Sequence, residues 1–390
     1  MVAVASVGGV WAQVVGQDRA VTELSGAAAD PKAMTHAWLF TGPPGSGRSV
    51  AARAFAAALQ CPTGGCGECQ SCRTVLAGTH PDVREVVPEG LSISVAEMRA
   101  LVQIAARLPS TGNWQIVVIA DADRLTEGAA NALLKAVEEP SDRTVFLLCA
   151  PSDHPDDVPV TIRSRCRLVP LGTPPPAAIA AVLANRDGID PETAEWAASV
   201  CGGHVGRARR LARDADARQR REQVLALPMS LRGFGEVFRA ADDLIGSAEA
   251  EAADVAGSRD AAEREALSVA MGSGGTGKGV AAAQRGAKAA ERELERRQKS
   301  RATRSQRDAL DRALVDLAGF YRDVLALRLG ANVAATHPDR AADARSAATS
   351  WSPESTLRRL EAVLSCREAL ELNVKPRIAV EAMLTVLHRG

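Results

Sequence analysis

The run Ala37-Trp38-Leu39-Phe40-Thr41-Gly42-Pro43-Pro44-Gly45-Ser46-Gly47-Arg48-Ser49 joins an apolar stretch, a glycine-rich turn and a helix opening without a gap. It narrows the fold sharply, because a buried strand must deliver the turn and a helix must leave it. Gly42-x4-Gly47-Arg48-Ser49 matches a phosphate-binding loop at its glycines and hydroxyl, but has arginine where lysine is usual. In such a loop glycines let successive N–H groups converge on an anion, and the helix adds the positive end of its dipole. Gly42, Gly45 and Gly47 are therefore expected to shape a cradle, and Ser49 to hold a magnesium ion. Arg48 is broad, planar and forked where lysine is a slender point charge, so nucleotide geometry need not be preserved. An ordinary glycine-rich surface turn is the alternative.

The rest of the first 170 residues supports the loop reading. A helix is expected from Asp18, a strand over 37–41 and a helix over 48–59. Further strands are expected over 82–87, 115–120 and 144–150, with helices over 94–107 and 127–138. Ser94 and Glu97 form a capping-box pair, and Pro140 stops the later helix. This alternation predicts a parallel sheet covered on both faces.

At 390 residues the chain should divide into two or three domains. We expect an α/β domain over 1–170, a small helical domain over 171–228 opened by Thr173-Pro174-Pro175-Pro176, and an all-helical domain over 229–390. In the last, Leu310, Leu314, Leu317, Tyr321, Val324 and Leu327 recur at three- and four-residue intervals, the stripe of a helix facing a core. The segment 272–279 imitates a phosphate loop down to Lys278. No buried strand precedes it and Gly279 takes the hydroxyl position, so a flexible connection within a glycine-rich insertion around 246–300 is expected. The basic run 292–307 reads as a solvated helix face, with a DNA-facing patch as the alternative.

The 47 basic and 47 acidic residues balance, leaving no overall footprint for nucleic acid, so a role on DNA would come through an assembly. The first residues lack a basic segment, and nowhere do eighteen apolar residues run together. A soluble, cytoplasmic protein is expected. Four of the eight cysteines, Cys61, Cys66, Cys69 and Cys72, fall in twelve residues; the others are scattered singly. Glycines at 64, 65 and 67 permit tight turns between them. Four thiolates suit a closed tetrahedral zinc site that folds a small module and leaves no place for a reactive water. An iron–sulfur cluster or redox disulfides are the alternatives.

The stretch 115–120 delivers Asp121, where loop-containing ATPases place an aspartate that serves magnesium. Position 122, however, is alanine. Asp123 stands one residue further on, an odd offset that directs it elsewhere and makes it a poor base.

Asn131-Ala132-Leu133-Leu134-Lys135-Ala136-Val137-Glu138-Glu139-Pro140, followed by Pro159-Val160-Thr161-Ile162-Arg163-Ser164-Arg165-Cys166, resembles the bacterial clamp-loader branch of the AAA+ family. Val15-Gly16-Gln17 resembles that family's adenine-side motif, and Asn373-Val374-Lys375-Pro376-Arg377 the end of its collar. The resemblance implies an AAA+ P-loop domain with a zinc module, a small helical lid and a helical collar. Two subunit types must be told apart: the gamma/tau motor and delta-prime. The motor keeps lysine in the loop and a glutamate after the aspartate. Here Arg48, Ala122, Cys149 in place of a phosphate-sensing threonine, and Gly206 at the position of a sensor arginine, with Arg207 beside it, all point to the delta-prime type. An active gamma/tau-like ATPase and a zinc-dependent DNA-binding protein are the alternatives.

The resemblance further implies a largely non-hydrolysing scaffold that holds ATP and magnesium weakly or not at all. Arg165 would act as an arginine finger on the ATP of a neighbour. The implied partners are gamma/tau and delta subunits, a sliding clamp, and primed DNA through the complex.

Overall fold

The computed structural model describes residues 8–30, 32–88, 90–271 and 280–390. Two compact units emerge, Met1–Arg213 and Asp214–Gly390.

The first unit is built on five parallel strands: β1 (Ala37–Thr41), β2 (Val83–Val86), β3 (Gln115–Ile119), β4 (Thr144–Ala150) and β5 (Arg167–Pro170). Their order across the sheet is β2-β3-β4-β1-β5. Every residue of β1, β3 and β4 is buried, as expected of central strands covered on both faces. Successive side chains point to opposite faces, and the strands split their residues accordingly. Trp38, Phe40, Ile116, Val118, Val145 and Leu147 pack with α1 (Asp18–Ala29), α2 (Arg48–Gln60) and α3 (Gln70–Leu76). Leu39, Val117, Ile119, Phe146 and Leu148 pack with α4 (Val95–Ala105), α5 (Glu127–Glu138) and α6 (Val160–Arg163). Ser94 and Glu97 make the expected capping box on α4.

Three more helices, α7 (Pro176–Asn185), α8 (Pro191–Val200) and α9 (Val205–Arg213), complete this unit. The boundary at 213/214 lies inside the stretch expected as one small helical domain, because α10 (Ala215–Ser230) buries Val224 and Leu225 in the second core.

The second unit is helical throughout its described residues. α10 is followed by α11 (Phe234–Met271), α12 (Val280–Arg328), α13 (Ala341–Ser350), α14 (Pro353–Glu371) and α15 (Pro376–Arg389). Leu310, Leu314, Leu317, Tyr321 and Val324 are fully buried, whereas Leu327 is 46% exposed near the end of α12. The expectation of a flexible insertion around 246–300 is corrected. Helix spans 246–271 and 280–300, while 272–279 lies outside the described residues. Alanine, glutamate and arginine are strong helix formers, and cross-helix polar pairs add to that preference. Arg301 donates to Asp260 at 2.5 Å and Glu263 at 2.6 Å, and Gln298 to the Asp260 carbonyl at 3.1 Å.

The same contacts revise the reading of 292–307 as a solvated face, since Arg301 is 12% exposed. Arg307 also turns inward, donating to the Leu370 carbonyl and the Asn373 side chain. Among the described residues, no helix is long and apolar enough to cross a membrane.

Candidate functional site

β1 ends at Thr41 and α2 begins at Arg48, so the glycine-rich turn is held between a buried strand and a helix N-terminus. The Gly42 N–H donates to Pro151 O at 3.1 Å, and the Ser46 N–H to Pro43 O at 3.0 Å. Gly45 and Gly47 take φ of 89° and 90°, conformations costly to residues with a Cβ. Crowding reinforces the demand at two positions. A Cβ on Gly42 would stand 2.4 Å from Leu171 O, and one on Gly45 2.5 Å from the Cβ of His204. The loop thus touches the residue that precedes α9. Gln17, buried at 7% exposure, ties loop to joint: its amide donates to Ser46 O at 3.1 Å and Gly172 O at 2.6 Å, and its oxygen accepts from the Gly172 N–H. Ser49 lies in the first turn of α2. Two polar atoms here are buried without hydrogen-bond partners, Ser46 Oγ and Arg48 Nη1.

Asp121 follows β3 and precedes the short turn Ala122–Arg124. Burial raises the pKa of the Asp123 carboxyl and the Asp121 charge raises it further, against the opposing pull of Arg124 and Arg48. Cys149, near the end of β4 and fully buried, has its thiol pushed up to about 12 by burial, with Arg48 pulling the other way. Arg48 is therefore electrostatically coupled to groups at the ends of β3 and β4. Ala122 is 2% exposed and packs in the core beneath α4 and α5. The position where a catalytic glutamate would stand is part of the hydrophobic interior.

The cysteines form a separate centre. The ligand atoms of Cys61, Cys66, Cys69 and Cys72 all lie within 4.8 Å of one another. Cys61 Sγ is 3.7 Å from Cys66 Sγ and 3.8 Å from Cys69 Sγ. Tetrahedral zinc with Zn–S bonds of about 2.3 Å requires sulfurs about 3.8 Å apart, so the set fits. Backbone N–H groups of Cys66, Cys69 and Cys72 point at the sulfurs of Cys61, Cys66 and Cys69, which favours thiolates. Burial opposes ionisation of Cys61, but hydrogen bonds from Thr63, Cys66 and Gly65 outweigh it and bring the thiol to about 5. The knuckle packs on the N-terminal turn Gly9–Gln13, where the Val10 N–H donates to Gly65 O at 3.0 Å.

Arg165 follows α6 and is exposed. Its guanidinium is held by a 2.7 Å ion pair with Glu138, the last residue of α5, and by a 2.8 Å hydrogen bond to Thr161 O. The loop residues, Arg48 and Asp121 thus gather around the strand ends, the cysteines form their own knuckle, and Arg165 stands on α5 and α6. Two residues escaped the sequence reading. Glu138 lay inside a recognised motif without a role, and His204 followed Gly202-Gly203 with only its place before a helix to mark it.

Residues 16–175 match the family described as DNA polymerase III, delta subunit. The chain is 34% identical over 197 residues to DNA polymerase III subunit delta' of Bacillus subtilis, covering 50% of this chain and 59% of that relative. It is 38% identical over 199 residues to the delta' subunit of Pseudomonas aeruginosa, covering 49% and 59%. DNA polymerase III subunit tau/gamma of Haemophilus influenzae is 36% identical over 160 residues, 40% of this chain and 23% of that one. The chain spans somewhat more than half the length of the two delta' relatives.

Proposed function

We propose that this chain, which matches the DNA polymerase III delta-subunit family over residues 16–175 and is similar to two delta' subunits, is a subunit of a DNA polymerase III clamp loader. In this role it is a largely non-hydrolysing scaffold that presents Arg165 to ATP bound by a neighbouring gamma/tau-like subunit. The observation that carries this reading is Ala122: 2% exposed, it offers no carboxylate beside Asp121 to polarise an attacking water. Arg48 supports it further, since its broad guanidinium stands where a slender cation would meet the β- and γ-phosphates. The loop at 42–49, with Asp121, then binds ATP and magnesium weakly or not at all.

An arginine suits work in trans because its fork stabilises charge spread over the γ-phosphoryl oxygens. Arg165 is exposed and carries that fork just past a short helix anchored by the buried Ile162. The zinc knuckle has a structural part only, as four sulfurs close the coordination shell. With formal charge balanced, contact with primed DNA comes through the assembled ring, together with the sliding clamp and a delta subunit.

The test is steady-state ATP hydrolysis by the reconstituted complex. Arg165→Ala is expected to lower turnover by about 10³-fold while the complex still assembles. Unchanged turnover would exclude the finger. A substantial ATPase in the purified chain alone, abolished by Ser49→Ala, would instead establish an active motor.

A further inference from the structure

We propose that Glu138 is a positioning residue for Arg165, holding its guanidinium in the orientation that meets a neighbour's phosphoryl group. This inference rests on the finger reading of Arg165. Glu138 Oε1 lies 2.7 Å from Arg165 Nη2, while Nη1 donates to Thr161 O at 2.8 Å and to Ser164 Oγ at 3.3 Å. The fork is therefore gripped at both ends, from α5 at one and from α6 at the other. Five N–H donors against three contacts leave donors over for an anion.

Both grips have rigid foundations. Val137, beside Glu138, is fully buried, and its carbonyl accepts a 2.8 Å hydrogen bond from His36 just before β1. Ile162 is 1% exposed and anchors α6 next to Thr161. Pro140 stops α5 immediately after Glu138 and Glu139, so the carboxylate is delivered at the helix end. An exposed pair of this kind, each side chain 39% exposed, adds little to stability. What it does supply is order in a long side chain that would otherwise sample many rotamers, and displacements near 1 Å at a reacting centre cost up to about 10²-fold in rate.

The experiment uses the full chain reconstituted with a gamma/tau-like ATPase partner, reading kcat and KM for ATP alongside the melting temperature of each variant. Glu138→Ala is expected to lower kcat about 10-fold, with KM and melting temperature unchanged. Glu138→Gln, which keeps an acceptor oxygen, should recover most of the loss. The double variant Glu138→Ala/Arg165→Ala should be no slower than Arg165→Ala alone, because Glu138 acts only through the arginine. Parental kcat in Glu138→Ala, beside a deep loss in Arg165→Ala, would overturn the positioning role and leave the finger standing. A raised kcat would overturn it too, showing a restraint and not a support. Full activity in Arg165→Ala would remove the finger reading and this inference with it.

Discussion

Asp82 carries more of the first unit than its place just before β2 suggests. Its two oxygens accept from the N–H and hydroxyl of Ser110, the N–H and hydroxyl of Thr111, and the Gly112 N–H, all at 2.6–3.0 Å. Burial alone would raise its pKa, but these donors outweigh it and hold the carboxyl well below the usual range. Asp82→Ala is expected to cost about 2 kcal/mol in denaturant unfolding, since it removes a buried carboxylate that satisfies five part-buried donors. The pH sign follows from the depressed value. The stabilisation is present above the unfolded pKa of about 3.9 and is lost as pH falls below it, so the variant and parent should converge in stability under acid. Ala122 gives a second residue-scale expectation. Ala122→Glu, the substitution that would mimic a motor, should lower the melting temperature and confer no ATPase, because it drives a charge into the core beneath α4 and α5. The sequence shows that position 122 lacks a carboxylate, but not that the site has become interior.

At the scale of elements, the cysteine cluster was legible because its four members are neighbours in the chain. Two short loops and the first turn of α3 bring four sulfurs within 4.8 Å, so only local structure is needed. Metal analysis should find about one zinc per chain, and removal by a chelator should loosen α3, whose N-cap is Cys69, detectable as faster amide exchange over 61–76. Four of the five strands were equally legible from their apolar residues, whereas the short β5 at 167–170, exposed at every position but Val169, was not expected. The parts of α11 and α12 that fall within 246–300 were not legible, since their polar, alanine-rich sequence reads alike as solvated helix or as linker. Cross-helix pairs such as Arg301 with Asp260 and Glu263 decide the matter, and these join residues some forty positions apart. Leu314, fully buried on α12, tests the apolar side of that element: Leu314→Ala should cost about 3 kcal/mol.

At the scale of the molecule, two units with separate cores are expected to unfold in two steps. In calorimetry, metal removal should lower the transition of the first unit and Leu314→Ala that of the second; a single transition shifted equally by both would contradict this division. What the sequence determined by itself was everything written locally: the strand, glycine turn and helix at 37–49, the apolar runs of β3 and β4, the capping box at Ser94, the cysteine cluster and the absent carboxylate at 122. These depend on chain geometry over a few residues, which residue type and spacing govern directly. What only the tertiary structure decided was which distant groups meet: His204 against Gly45, Gln17 between loop and joint, Ala122 in the core, Glu138 on Arg165. Such meetings come from the order in which strands join the sheet and helices cover it. That order puts side chains far apart in the chain within hydrogen-bonding reach, and no local pattern records it.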